Sequence, residues 1–239
     1  MDIKNLILII IAVLNFFVGL IVILRHPKNK INLSFGLLLF SVVGWSIGLA
    51  MSRELAGTSE ALSWSRSTYF FAIFISLTLF YFSLAFPYQK SLSFAQKVMT
   101  ISPALILTLV LAVQSNFIIK EMVVMPWGYD NVYQSGYTIF SLVFSFYFIL
   151  AFINFIKNII KSEGVLKKHL VAIAAGFALA GIFGIVFDLI LPYFGNWKFN
   201  WFGPYFSIIL LFIIAYSLFY KPNKNTDKTY QIISLNDRY

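Results

Sequence analysis

Asn5 to Leu24 reads NLILIIIAVLNFFVGLIVIL, an unbroken run without a single charged side chain. Such a run matches the roughly 20 residues that a helix needs to cross a ~30 Å hydrocarbon layer. Six further stretches of this kind follow, at Asn32 to Met51, Ser67 to Phe86, Val98 to Ile118, Tyr137 to Ile156, His169 to Leu191 and Pro204 to Tyr220. Hydrophobic residues make up 60% of the 239 and charged residues only 11%, which leaves too little polar surface to cover a water-soluble domain. Lipid is therefore the solvent. Because lipid satisfies no backbone hydrogen bond, spanning segments are helices or barrel strands, and continuous apolar runs lack the alternation of a barrel. The expectation is an all-α integral membrane bundle of seven helices, one domain over residues 1–220, with a short polar cytoplasmic tail at 221–239.

Thirteen of the eighteen Lys and Arg residues fall in the first, third and fifth connections and the tail, from Arg25, Lys28 and Lys30 to Lys228 and Arg238. Lys4, Arg53, Arg66, Lys120 and Lys198 lie on the opposite side. Positive residues resist translocation, so the N-terminus is expected outside, the C-terminus in the cytoplasm, and the chain in the cytoplasmic membrane as a multi-pass protein. Topology thus explains the net charge of +9 without a nucleic-acid partner. The first span lacks a basic leading region and a small-residue cleavage site, and reads as a retained helix and not a signal peptide. With no cysteine in the chain, no disulfide, iron–sulfur cluster or thiolate zinc site is available; no cofactor and no metal is expected.

Small residues point to helix packing. Gly44 and Gly48 are four apart in the second span, and Ala172, Gly176, Ala180 and Gly184 keep the same spacing in the sixth. Such faces let helix backbones approach closely, a main source of association in lipid. The sixth helix is accordingly expected to be central and shielded from lipid. Phenylalanines crowd the third and fifth spans at all helical angles, which suits lipid-facing bulk as much as core.

No Lys, Arg or His lies well inside a span, and Asp188 is the sole acidic residue within one. This scarcity weakens proton-pump and ion-transport readings. Asp188 is either a solvated interfacial carboxylate or a partner of Arg66, Arg53, Lys198 or a ligand. The connection from Lys120 to Gly136 is patterned as a small extracytoplasmic hairpin between helices 4 and 5, with a strand at Met122 to Met125, turn residues at Pro126 to Asn131 and a return at Val132 to Gln134. Aromatic residues gather at this boundary, where an interfacial belt forms for its own reasons. The alternative is an outward cup for a small molecule, whose candidate ligand-binding residues are Arg53, Trp64, Arg66, Tyr69, Trp127, Tyr129, Asp188, Trp197 and Trp201.

Other classes are disfavoured by particular residues. The two histidines, His26 and His169, sit at the cytoplasmic boundary, and no nucleophile with its base, paired carboxylates, phosphate loop or metal spacing is present. The seventh span has no lysine for a retinal Schiff base, and Asp237-Arg238-Tyr239 stands at the tail instead of the inner end of a third helix. Transporter repeats would break helices at corresponding places in two halves; no span is expected to be interrupted by a mid-depth proline.

The run Arg25-His26-Pro27-Lys28-Asn29-Lys30-Ile31-Asn32-Leu33-Ser34-Phe35, leading into Trp45-Ser46-Ile47-Gly48, resembles the first loop and second helix of the seven-transmembrane sensor region at the N-terminus of histidine kinases. Phe82-Ser83-Leu84-Ala85-Phe86-Pro87, Gly136-Tyr137, Phe202-Gly203-Pro204 and Ile214-Ala215-Tyr216-Ser217-Leu218 agree in the same order. The resemblance spans about the first 220 residues. It implies a sensor that detects an extracytoplasmic or membrane-borne stimulus and passes a conformational change through its last helix to a cytoplasmic signalling protein. Kinase catalysis needs a phospho-accepting His helix and an ATP-binding domain, and neither fits in the residues after Tyr220, which hold no His. The chain is therefore expected to be no enzyme, and to be either a stand-alone receptor-like protein or the separated sensor part of a longer product. Membrane lipids, a small-molecule ligand and a cytoplasmic protein are the expected partners. A small-molecule carrier or channel is the alternative.

Overall fold

The computed structural model describes residues 2–90, 92–113, 116–125 and 128–208. Helices α1 (Ile3–Arg25), α2 (Lys30–Glu54), α3 (Ser59–Ala85) and α4 (Phe94–Val113) lead into an antiparallel pair, β1 (Ile119–Met125) and β2 (Gly128–Tyr133). Helix α5 (Gly136–Lys161) follows, then α6 (Gly164–Gly184), which runs on through a π-helical segment (Ile185–Ile190) to a last turn at Leu191–Tyr193. Among the described residues six helices are long and apolar enough to cross a membrane. Residues 203–208 are helical; the rest of the predicted seventh span, the predicted tail at 221–239 and Trp127 lie outside the described residues.

Local chemistry sets the boundaries. Asn29 caps α2 by accepting a hydrogen bond from the Ile31 amide (2.8 Å). Ser93 and Gln96 form a reciprocal capping box at the start of α4, each side chain bonding the other's backbone amide. Helix α3 begins at Ser59, two turns before the predicted Ser67. An apolar run reports where lipid begins, while a helix continues into the interface until capped, here after Gly57 at φ +93°. Trp64 and Arg66 are consequently helical. At the far end of α3, Pro87 has no N–H to offer Ser83, and Asn158 Nδ2 of α5 donates to the Ser83 and Phe86 carbonyls instead (3.3 and 2.9 Å).

Helix α4 ends at Val113 and not at the predicted Ile118; Ile118 and Ile119 are buried beneath the hairpin. The strands also take in most of the predicted turn, since Tyr129, Asp130 and Asn131 pair with Val124, Val123 and Met122. Contrary to expectation, α4 contains a proline, Pro103. The gap in its ladder is filled from α5: the Tyr147 hydroxyl donates to the Thr100 carbonyl (2.6 Å) and accepts from the Ala104 amide (3.3 Å). A neighbouring helix that satisfies freed backbone groups is what makes proline tolerable in lipid.

Helix α3, and not α6, is central. In its apolar stretch 72% of residues are buried, against 22% for α6, which exposes Val171, Leu179, Ile182 and Ile190. The small residues of α6 divide accordingly. Ala172 is exposed and Gly176 buried. Gly181 stands against the Phe148 ring, whereas among the described residues nothing lies within 4 Å of where a Cβ on Gly184 would stand. Among the described residues Gly184 therefore meets no packing partner. Gly44 and Gly48 of α2 do face α3, against the Phe71 ring and Thr68 respectively. The phenylalanines also sort: Phe82, Phe140 and Phe155 are buried, Phe70 and Phe146 exposed.

Candidate functional site

The hairpin is sewn to the ends of α2 and α3 by side chains. Tyr129 shares a hydrogen bond with Ser52 of α2 (2.7 Å), and Asn131 exchanges two with Ser65 of α3 (2.8 and 3.1 Å). Tyr133 bonds Tyr69 of α3 (2.8 Å) and stacks on Tyr137 of α5 with ring centroids 3.7 Å apart. Trp197 packs over both Tyr129 and Tyr133. Tyr137 in turn donates to the Leu189 carbonyl (2.8 Å) in the π-helical segment, where i→i+4 bonding is lost and carbonyls need other donors. Burial pushes the Tyr129 and Tyr133 hydroxyls above the ordinary tyrosine range, Tyr133 well above it. They are neutral donors and acceptors in a closed aromatic lid.

Beneath this lid lies a cavity of about 120 Å³ between α2, α3, α5 and α6. Its walls are Trp45, Leu49, Ala72, Phe140, Phe144 and Phe148, with Gly181 letting the Phe148 ring close in and Gly184 leaving space that a larger residue would fill. Toward the basic end of the bundle, Phe35, Phe82, Phe86, Phe155 and Phe177 pack ring on ring and close it off. Thr68, Tyr69, Asp188 and Ser207 also border the cavity. Asp188 Oδ2 is shielded from solvent and, among the described residues, has no hydrogen-bond partner. It faces Gly203, where an added Cβ would collide with it and lie 2.7 Å from Trp45. Oxygen atoms of this kind, unpaired in an apolar surrounding, carry a desolvation penalty that a donor would remove.

The predicted cup is thus divided. Tyr69, Asp188 and Trp197 border the cavity, and Tyr129 belongs to the lid. Arg66 is turned away from Asp188: its Nη2 donates to Asn116 Oδ1 (2.7 Å) and to the Ile119 and Lys120 carbonyls (3.0 and 3.4 Å), pinning the strand entrance. Arg53 holds a separate cluster, bonding Asn5 (3.1 Å) and Asn200 (3.3 Å), with Asp2 at 3.9 Å. Arg66, one of the partners considered for Asp188, makes no ion pair with it among the described residues; it lies in the helical turns ahead of Ser67 and is bonded on the β1 side. Trp201 lies by this second cluster, beneath Lys4 (5.2 Å) and donating to the Lys198 carbonyl (3.0 Å); Trp64 is half-buried on α3. Trp45, Gly203 and Ser207 were missed as site residues. Trp45 had a signal, being a tryptophan away from the interfacial belt.

A family model described as the N-terminal 7TM region of histidine kinase matches residues 7–222. The chain belongs to that family. The match covers most of the 239 residues, and with six apolar membrane-length helices among the described residues it makes this a multi-pass membrane protein of the sensor type. Comparison with curated proteins returns no match, and comparison with solved structures returns none either.

Proposed function

We propose that this member of the 7TM sensor family detects a small, largely apolar molecule carrying one hydrogen-bond donor or amine, held in the cavity with that group on Asp188. The observation that carries the reading is the unpartnered Oδ2 of Asp188 at an otherwise aromatic and aliphatic cavity. A charged residue at membrane depth is a functional-site hypothesis by default, and few convergent polar groups in an apolar pocket are the usual make-up of a ligand site. The signal passes from α6 and its π-helical segment to residues 203–208, since Asp188 abuts Gly203 and Phe183 of α6 stacks on Phe206 (3.9 Å between centroids). A ligand that prefers one arrangement of these contacts shifts the population between two. The distribution of basic residues favours the hairpin end outside and the Lys30 end in the cytoplasm, with a cytoplasmic protein as the output. The phenylalanine plug supports a sensor over the alternative carrier, which needs a polar path through the bundle.

The test is a binding screen of small amphipathic amines and alcohols on the purified protein, followed by tryptophan fluorescence. Wild-type protein is expected to bind a hit that Asp188→Leu does not. Equal affinity in both would reject recognition through Asp188.

A further inference from the structure

A second hollow, of about 650 Å³, lies outside the bundle core and is unrelated to the cavity under the hairpin. Helix α4 packs on α3 and α5 but not along α2, leaving a groove between α2 and α4 floored by α3. Leu33, Leu37, Phe40, Phe74, Tyr81 and Ile101 make its apolar walls, and Lys30, Lys90 and Lys97 stand at one end. These lysines come from the first residue of α2, the α3–α4 connection and the first turn of α4. All three are exposed, and among the described residues none makes an ion pair. Tyr81, in the groove lining, bonds Thr100 (2.9 Å), which ties α4 to α3.

We propose that this groove is a binding site for one anionic phospholipid, with its phosphate on Lys30, Lys90 and Lys97 and an acyl chain between α2 and α4. Length supports this occupant. From Phe70 to Leu84 the α3 floor rises about 21 Å at 1.5 Å per residue, enough for the acyl layer of one leaflet, about half of the ~30 Å hydrocarbon core. Charge supports it equally: basic pockets between membrane helices recognise anionic headgroups, while the hydroxyls in the lining, Ser34, Ser41, Thr78 and Tyr81, are already bonded to helix carbonyls or to Thr100 and leave a peptide backbone little to pair with. The occupant belongs to the leaflet on the Lys30 side and ties α2 to α4, helices that scarcely touch each other.

Native mass spectrometry of the detergent-purified protein titrated with phosphatidylglycerol tests the site. The variant Lys30→Gln/Lys90→Gln/Lys97→Gln is compared with a control at the same end of the bundle, Lys157→Gln/Lys161→Gln/Lys168→Gln. At about fivefold per basic residue, the groove variant is expected to lose retention by on the order of a hundredfold, and the control to keep it. Leu37→Trp, at a half-open wall position (44% exposed), fills the groove without touching the charges and is expected to abolish retention; Ile101→Trp, 39% exposed, serves the same purpose from α4. Equal loss in both lysine variants would mean diffuse attraction to the whole basic face and overturn the proposal. So would undiminished retention in both tryptophan variants, equal retention of phosphatidylcholine, or full displacement by glycerol phosphate alone.

Discussion

Gly203 and the Asp188 carboxylate are in such close apposition that a methyl group at position 203 would collide with Oδ2, and with the Trp45 ring behind it. The glycine is therefore a spacing element between the π-helical segment and the start of the helical residues 203–208. Gly203→Ala is expected to destabilise the protein by about 1–3 kcal/mol, the usual range for overpacking. In Asp188→Ala/Gly203→Ala the carboxylate is gone and part of that loss is recovered, the remainder being the clash with Trp45. Thermal unfolding of the two single variants and the double variant measures the coupling. Strict additivity would mean that the two side chains do not meet.

The tyrosine lid carries its own pH dependence. Burial raises the Tyr129 and Tyr133 hydroxyls above the ordinary tyrosine value of 10.0, with Tyr133 the more strongly shifted. Folded Tyr133 thus keeps its proton at a pH where the unfolded chain has released its own. Its stabilising contribution is full below about pH 10 and is lost as pH rises through the folded value. Tyr133→Phe removes the bond to Tyr69 and is expected to lower stability by about 1 kcal/mol at neutral pH, yet to show a shallower loss toward pH ~11. Denaturation curves for the two proteins across that range give the comparison, and parallel slopes would exclude Tyr133 as the titrating group.

The spans were legible because lipid imposes a length and an apolar composition on every crossing helix, as in Asn5 to Leu24. What lay in the interface was not. The first two turns of α3 are polar enough to look like loop, so the sequence leaves Arg66 open as one of several partners for Asp188, whereas the helix carries it to the β1 entrance. The cavity was half legible: Tyr69, Asp188 and Trp197 were candidates on polarity or aromaticity near the boundary. Trp45 and Ser207 come together with them only through tertiary packing, which no local pattern encodes.

Tyr147 belongs with those long-range features. Its hydroxyl occupies the break in the α4 ladder at Pro103, between Thr100 and Ala104. In Tyr147→Phe both backbone groups lose their partner at membrane depth. The expected loss is about 1–2 kcal/mol, given that single interhelical hydrogen bonds in membranes contribute roughly 0.6 kcal/mol and reach about 1.7. Hydrogen exchange should speed up at the Ala104 amide while the far end of α4 keeps its protection. Unchanged exchange at Ala104 would show that the ladder closes without the tyrosine.

Gly181 and Gly184 are one turn apart on α6 and differ in what faces them. At Gly181 any side chain runs into the Phe148 ring of α5, and at Gly184 there is open space within 4 Å among the described residues. Both border the cavity. Gly181→Leu is therefore expected to separate α5 from α6 and lower thermal stability in detergent markedly, by more than the ~1–3 kcal/mol typical of a single added methylene or two. Gly184→Leu should keep a near wild-type melting temperature, because its side chain grows into a void and gains apolar contacts there. That same growth fills the volume assigned to the ligand. Gly184→Leu is accordingly the variant that separates packing from sensing: intact folding with loss of any molecule that wild-type protein binds through Asp188. If Gly184→Leu instead unfolds like Gly181→Leu, the void is filled in the membrane by protein, and the cavity cannot be the binding site.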